Sequence, residues 1–102
     1  MSNEPFSAKS VFENPERFRE QLRLPNVLRY SFVGASSPDY HARLEEIVVR
    51  IAGEQNIRKR TFRASSGGRY TAYKYDVYHD DFPTIEALYR EVIALEGTRF
   101  VI

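Results

Sequence analysis

Arg63-Ala64-Ser65-Ser66-Gly67-Gly68-Arg69-Tyr70 is a short, small-residue stretch, and the way it turns decides how the two halves of the chain meet. Gly67 and Gly68 tolerate positive φ, and the preceding serines can hydrogen-bond locally, so the stretch reads as a β-hairpin connection. The flanks support this. Residues 57–63 and 70–78 are rich in β-branched and aromatic side chains with basic ones interleaved, as strands are.

Outward from the hairpin, each half repeats the same plan. Leu28, Tyr30 and Phe32 alternate with Val27, Arg29, Ser31 and Val33, which predicts a half-buried first strand. Ser37-Pro38-Asp39 opens a helix in which Leu44, Ile47, Val48 and Ile51 share a face, and Gly53 stops it. After the hairpin, Tyr73, Tyr75 and Val77 form one face of the third strand. Phe82-Pro83-Thr84 then opens a second helix with Ile85, Leu88, Val92 and Leu95 aligned, Gly97 stops it, and residues 98–102 make a last strand. Adding 44 to Leu44, Val48, Ile51 and Gly53 gives Leu88, Val92, Leu95 and Gly97. The order β-α-β-β-α-β with right-handed crossovers predicts an α+β, ferredoxin-like sandwich. Its sheet would have four antiparallel strands in the order 4-1-3-2, with both helices on one face.

The expected organisation is an N-terminal arm, residues 1–25, and one domain, residues 26–102. Asn14-Pro15-Glu16 predicts a short helix over 14–22, with Phe12, Phe18 and Leu22 as apolar anchors. Val27, Val33, Ala72, Tyr70 and Tyr78 make the face opposite the helices less polar than water usually meets. The arm or a second copy of the domain, giving a homodimer through the sheet, is expected to cover it.

At 102 residues the chain can bury roughly 60 to 70 % of its unfolded surface without a covalent staple. It has no cysteine, which excludes disulfides, thiolate metal sites and a cysteine nucleophile and suits a reducing cytoplasm. No apolar run approaches the length of a membrane span, so no membrane association is expected. The net charge of +1 is small, yet 55–74 holds Arg58, Lys59, Arg60, Arg63, Arg69 and Lys74 with no acidic residue.

Ser65-Ser66-Gly67-Gly68-Arg69-Tyr70, the opening of the second helix at 85–89, and the terminal Arg99-Phe100-Val101-Ile102 resemble the pattern of the YbeD-like family of small bacterial domains of unknown function. The likeness runs over 26–102, with Gly68 and Ile102 as mild departures. It implies a fold similar to the ACT regulatory domain and no catalytic motif.

Candidate chemistry is sparse. His79 with Asp81 lacks a third metal ligand, and Asp80 or Asp81 is better read as a helix cap. Ser65 and Ser66 have no base partner, so turn chemistry explains them. No enzymatic activity, metal or other cofactor is expected. The leading expectation is a non-catalytic regulatory or binding module for a small molecule or a protein. By the ACT resemblance, its ligand edge would be Gly34, Ala35, Ser36, Ser37 and Asp39. The alternative is RNA or another anion bound by Arg58, Arg60, Arg63, Arg69 and Lys74 with the open sheet face. Against that stands the ordinary use of charge to protect a sheet edge.

Overall fold

The computed structural model describes residues 6–14, 16 and 23–102. Its elements are β1 (Phe6–Ser7), α1 (Ala8–Glu13), β2 (Asn26–Ala35), α2 (Pro38–Ala52), a 3-10 turn (Glu54–Asn56), β3 (Ile57–Ala64), β4 (Tyr70–His79), α3 (Phe82–Ala94) and β5 (Thr98–Val101). The two long helices start as their sequences dictate. Ser37 Oγ accepts from the Tyr40 N–H at 3.1 Å, Asp81 Oδ1 accepts from the Thr84 N–H at 2.9 Å, and each helix carries proline in its first turn.

β2 and β4 pair antiparallel along their whole length, from Asn26 opposite His79 to Ala35 opposite Tyr70, and β3 pairs antiparallel with the far side of β4. The remaining edge of β2 is shared. β1 runs parallel to it at Leu28 and Arg29, while β5 runs antiparallel to it at Phe32, Val33 and Gly34. The expected four-stranded, wholly antiparallel sheet in the order 4-1-3-2 is therefore corrected. The sheet is mixed and five-stranded, with the path β1-β2-β4-β3 and β5 also on β2, and three α-helices accompany it among the described residues. The cause lies in the arm, whose β1 takes up the stretch of β2 that the short β5 leaves unpaired.

Leu28, Tyr30 and Phe32 of β2 and Tyr73, Tyr75 and Val77 of β4 are buried in one cluster with Leu44 and Val48 of α2 and Ile85, Leu88 and Val92 of α3. The strand register and the helix faces expected from periodicity thus meet in a single core on one side of the sheet. The same cluster takes in Ala8 and Val11 of α1, and Phe12 stacks on Tyr89 of α3 at 4.0 Å between ring centroids. β1 and α1 thus close the β2 edge and the helix layer, in place of the opposite face expected for the arm. The helix expected over 14–22, with its anchors Phe18 and Leu22, falls largely outside the described residues. Asn14 itself ends α1, donating its N–H to Ser10 O.

The hairpin closes as its composition requires. The Gly68 N–H donates to Ser65 O at 2.9 Å, the Ser65 N–H donates to Tyr70 O at 2.8 Å, and Gly68 takes φ +71.

Candidate functional site

Among the described residues, the ones singled out in the sequence gather on two main surfaces, one at the start of α2 and one on the sheet face away from the helices. The first is built where β2 ends. Ser36 and Ser37 lead into Pro38 and His41 on one wall, and Phe62, Ala64, Thr71 and Tyr73 from β3 and β4 form the other, around about 450 Å³. The floor is aromatic. The His41 ring meets Phe62 edge-on at 4.4 Å and Tyr73 at 5.1 Å, and Phe62 remains 41 % exposed. The rim is polar, with Ser36 Oγ and Thr71 Oγ1 2.7 Å apart. The positive end of the α2 dipole opens on the same side.

The residues expected to form the ligand edge have different fates. Gly34 faces the Tyr40 ring so closely that an added Cβ would lie 2.5 Å from it, so the space its missing side chain leaves is already filled from within. Tyr40 is held there by a 2.7 Å hydrogen bond between its hydroxyl and Thr98 Oγ1, and burial raises its pKa. Ala35 accepts from the Tyr73 hydroxyl at 2.7 Å, and with Ser37 and Asp39 it lines a separate recess of about 300 Å³ beside Tyr40, Arg43 and Gly97. Asp39 is exposed and pairs with Arg43 at 3.3 Å. Ser36 and Ser37 line the groove. His41, Phe62, Thr71 and Tyr73 complete it, and sequence reasoning missed them as a set because they come from three elements. The faint signal was His41 one turn into a helix whose start was already singled out.

The basic residues expected to act together are divided by a β-bulge between Ile57 and Lys59. A bulge inserts one residue and reverses the alternation beyond it. Arg58 and Lys59 consequently both belong to the open face, and Arg60 points to the helix side. There Arg60 donates to Glu45 of α2 at 2.6 Å and to Glu54 at 2.8 Å, while the Tyr75 hydroxyl donates to Glu45 at 3.0 Å. Burial alone would raise the Glu45 pKa, yet the hydrogen bonds from Arg60 and Tyr75 hold it below the usual value. Arg60 is a structural clasp. This removes it from the proposed anion set.

The open face keeps Arg29, Arg58, Arg63 and Lys74 and gains Lys59 and Arg99. The Arg58 guanidinium lies 4.8 Å from the Tyr78 ring centroid and that of Arg99 lies 5.1 Å from Tyr70. Arg29 makes a paired contact with Asp76 at 2.8 and 3.1 Å. Lys59, Thr61, Lys74 and that pair surround about 180 Å³, and among the described residues neither lysine has a carboxylate partner. Arg69 is exposed on the hairpin, where its carbonyl accepts from the Ser36 N–H. Of the hairpin motif, Ser65 and Ser66 line a shallow recess of about 480 Å³ with Arg63, Tyr70 and Val33, and Gly67 has open space around it.

His79 is no ligand. Its Nε2 lies 2.8 Å from the buried Tyr30 hydroxyl, its Nδ1 has no hydrogen-bond partner, and burial lowers its pKa to about 4 despite Asp81 and Asp80 nearby. Among the described residues no three His, Asp or Glu side chains converge as metal ligands would.

One mixed sheet with helices on one side, a groove at one end and a cationic face on the other side make up a small α+β domain. The chain belongs to the family described as protein of unknown function (DUF493), which is the YbeD-like family, and the family model matches residues 19–102. β1 and α1 lie N-terminal to that match. No curated protein and no solved structure matches the chain.

Proposed function

We propose that the chain is a non-catalytic binding module. In this reading residues 26–102 form a ferredoxin-like, ACT-like unit that the arm extends, and its ligand edge is the groove between the start of α2 and strand β3. The observation that carries the reading is the groove itself. About 450 Å³ falls within the range of small-molecule sites, and an apolar aromatic floor with a few polar groups at one end is the composition such sites use. Phe62, Tyr73 and His41 suit a planar or branched apolar group. Ser36, Thr71 and the α2 N-terminus suit a carboxylate or another hydrogen-bonding head.

Backbone amide NMR of the labelled protein, titrated with individual amino acids and short carboxylic acids at millimolar concentration, tests this. Saturable shifts confined to the amides of Ser36, Ser37, His41, Phe62 and Thr71, abolished by Phe62→Ala and weakened by Thr71→Val, are expected. Shifts scattered over the surface, or none from any compound, would remove the groove as the ligand site.

A further inference from the structure

We propose that the open face of the sheet is a binding surface for single-stranded nucleic acid, separate from the groove at α2. Three observations converge on it. The first is charge. Arg29, Arg58, Lys59, Arg63, Lys74 and Arg99 gather on this face, and the acidic side chain among them, Asp76, is taken up by Arg29. A chain with a net charge of only +1 therefore presents a concentrated positive field in one direction. The carboxylates of Glu45, Glu54 and Glu91 engage Arg60 and Arg50 on the helix side.

The second observation is a seat for a phosphate. Lys59, Lys74 and Thr61 surround a recess of about 180 Å³ beside the Arg29–Asp76 pair, and both lysines are exposed. The third is planar surface. The guanidinium groups of Arg58 and Arg99 lie over the rings of Tyr78 and Tyr70, 4.8 and 5.1 Å from their centroids, and Phe100, opposite Val33 in the sheet, is 53 % exposed. Stacking planes interleaved with cations are what unpaired bases and their phosphates require, because every base has a π-face and every linkage a charge.

This combination favours one occupant over the others. An acidic peptide would use the cations and leave the aromatic surface of Tyr70, Tyr78 and Phe100 idle. A duplex hides its base faces and would do the same. A second copy of the chain placed sheet to sheet would bring cation against cation.

The chain contains no tryptophan, so Phe100→Trp introduces a single indole reporter on the face. Fluorescence anisotropy with a labelled, mixed-sequence single-stranded RNA should give saturable binding that weakens as salt rises from about 50 to about 200 mM. Lys59→Glu with Lys74→Glu should weaken it by at least about tenfold and reduce the slope of log affinity against log salt by about 1.4, the contribution of two phosphate contacts to a single strand. The same strand should quench the indole of the Phe100→Trp protein, whereas polyaspartate should not. Arg43→Glu with Arg50→Glu, an equal charge change on α2, should leave affinity within about twofold by the distance and screening of those sites. Thermal melts of both double variants establish that each folds, and Lys59→Gln with Lys74→Gln replaces the first should it not. Absence of binding at the lowest salt overturns the proposal. So does equal loss in the α2 variant, equal affinity for polyaspartate without quenching by RNA, or a dimer by light scattering that the Lys59/Lys74 changes dissolve.

Discussion

His79 enters the core with one ring nitrogen beside Tyr30 and the other without a hydrogen-bond partner, an arrangement that only the neutral imidazole tolerates. Its pKa is depressed from 6.5 to about 4, so the unfolded chain binds the proton more readily than the fold does. The stability this contributes is complete above pH 6.5 and is lost as pH falls from there toward 4, on the order of 3 kcal/mol in all. Glu45, with a lowered pKa, adds its own loss only below the ordinary carboxylate range. Urea unfolding between pH 7.5 and pH 4 should therefore show a decline that His79→Gln flattens above about pH 4.5. An unchanged pH profile in that variant would mean the imidazole is not the titrating group. Gly34 makes a second prediction. Its substitution by alanine forces a methyl into the Tyr40 ring, which the Thr98 hydrogen bond restrains, and should cost about 1 to 3 kcal/mol by chemical denaturation. Neither residue's surroundings were legible in the sequence. His79 read as a loop residue before a helix cap, and Gly34 as a member of a ligand loop, because what meets each of them comes from more than five positions away.

Strand β3 shows where element-level reading succeeds and where it stops. Its existence, its pairing with β4 through the Ser65–Arg69 turn, and the helices that begin at Ser37 and Asp81 all follow from local chemistry that acts within a few residues. The bulge at Ile57 and Lys59 does not, since no glycine or proline marks it, and it sets Arg58 and Lys59 on one face and Arg60 on the other. The run of basic residues over 55–74, counted without regard to face, put Arg60 with the anion-binding residues. In the fold it joins β3 to α2 and the 3-10 turn through Glu45 and Glu54. Arg60→Ala would leave Glu45 with the Tyr75 hydroxyl alone, in a half-buried position. A loss of about 2 kcal/mol is expected, less than for a fully buried pair because solvent screens part of it. Hydrogen exchange should quicken along β3 in that variant while β2 and β4 stay protected. Exchange rates in β3 equal to those of the unmodified protein would show that the backbone ladder alone holds the edge.

At the scale of the whole molecule, the arm changes what kind of sheet the domain has. The repeated halves of residues 26–102 specify strands that leave the start of β2 open on one side, since β5 is only four residues long. β1 fills that gap, and α1 then places Ala8 and Val11 in the core and Phe12 on Tyr89. The sequence pointed to docking by an apolar arm, with Phe12 among its anchors. It gave no means of choosing between the open face and the sheet edge, because two residues of strand carry too little pattern to be seen. Burial of Val11 and Ala8 together with half-burial of Phe6 and Phe12 makes the arm an integral part of the core. Deleting residues 1–13 should accordingly lower the thermal midpoint by more than about 5 °C, on the scale of about 1 kcal/mol per 4 to 8 °C for a domain of this size. The same deletion should leave the oligomeric state by light scattering unchanged, since what it uncovers is the edge of β2 and the Tyr89 surface of α3, away from the cationic face. Phe12→Ala in the full chain should reproduce part of the loss, about 2 kcal/mol for a stacked, half-buried ring. A truncated protein as stable as the full one would detach β1 and α1 from the core. One that changed its mass would make the arm part of an interface between copies.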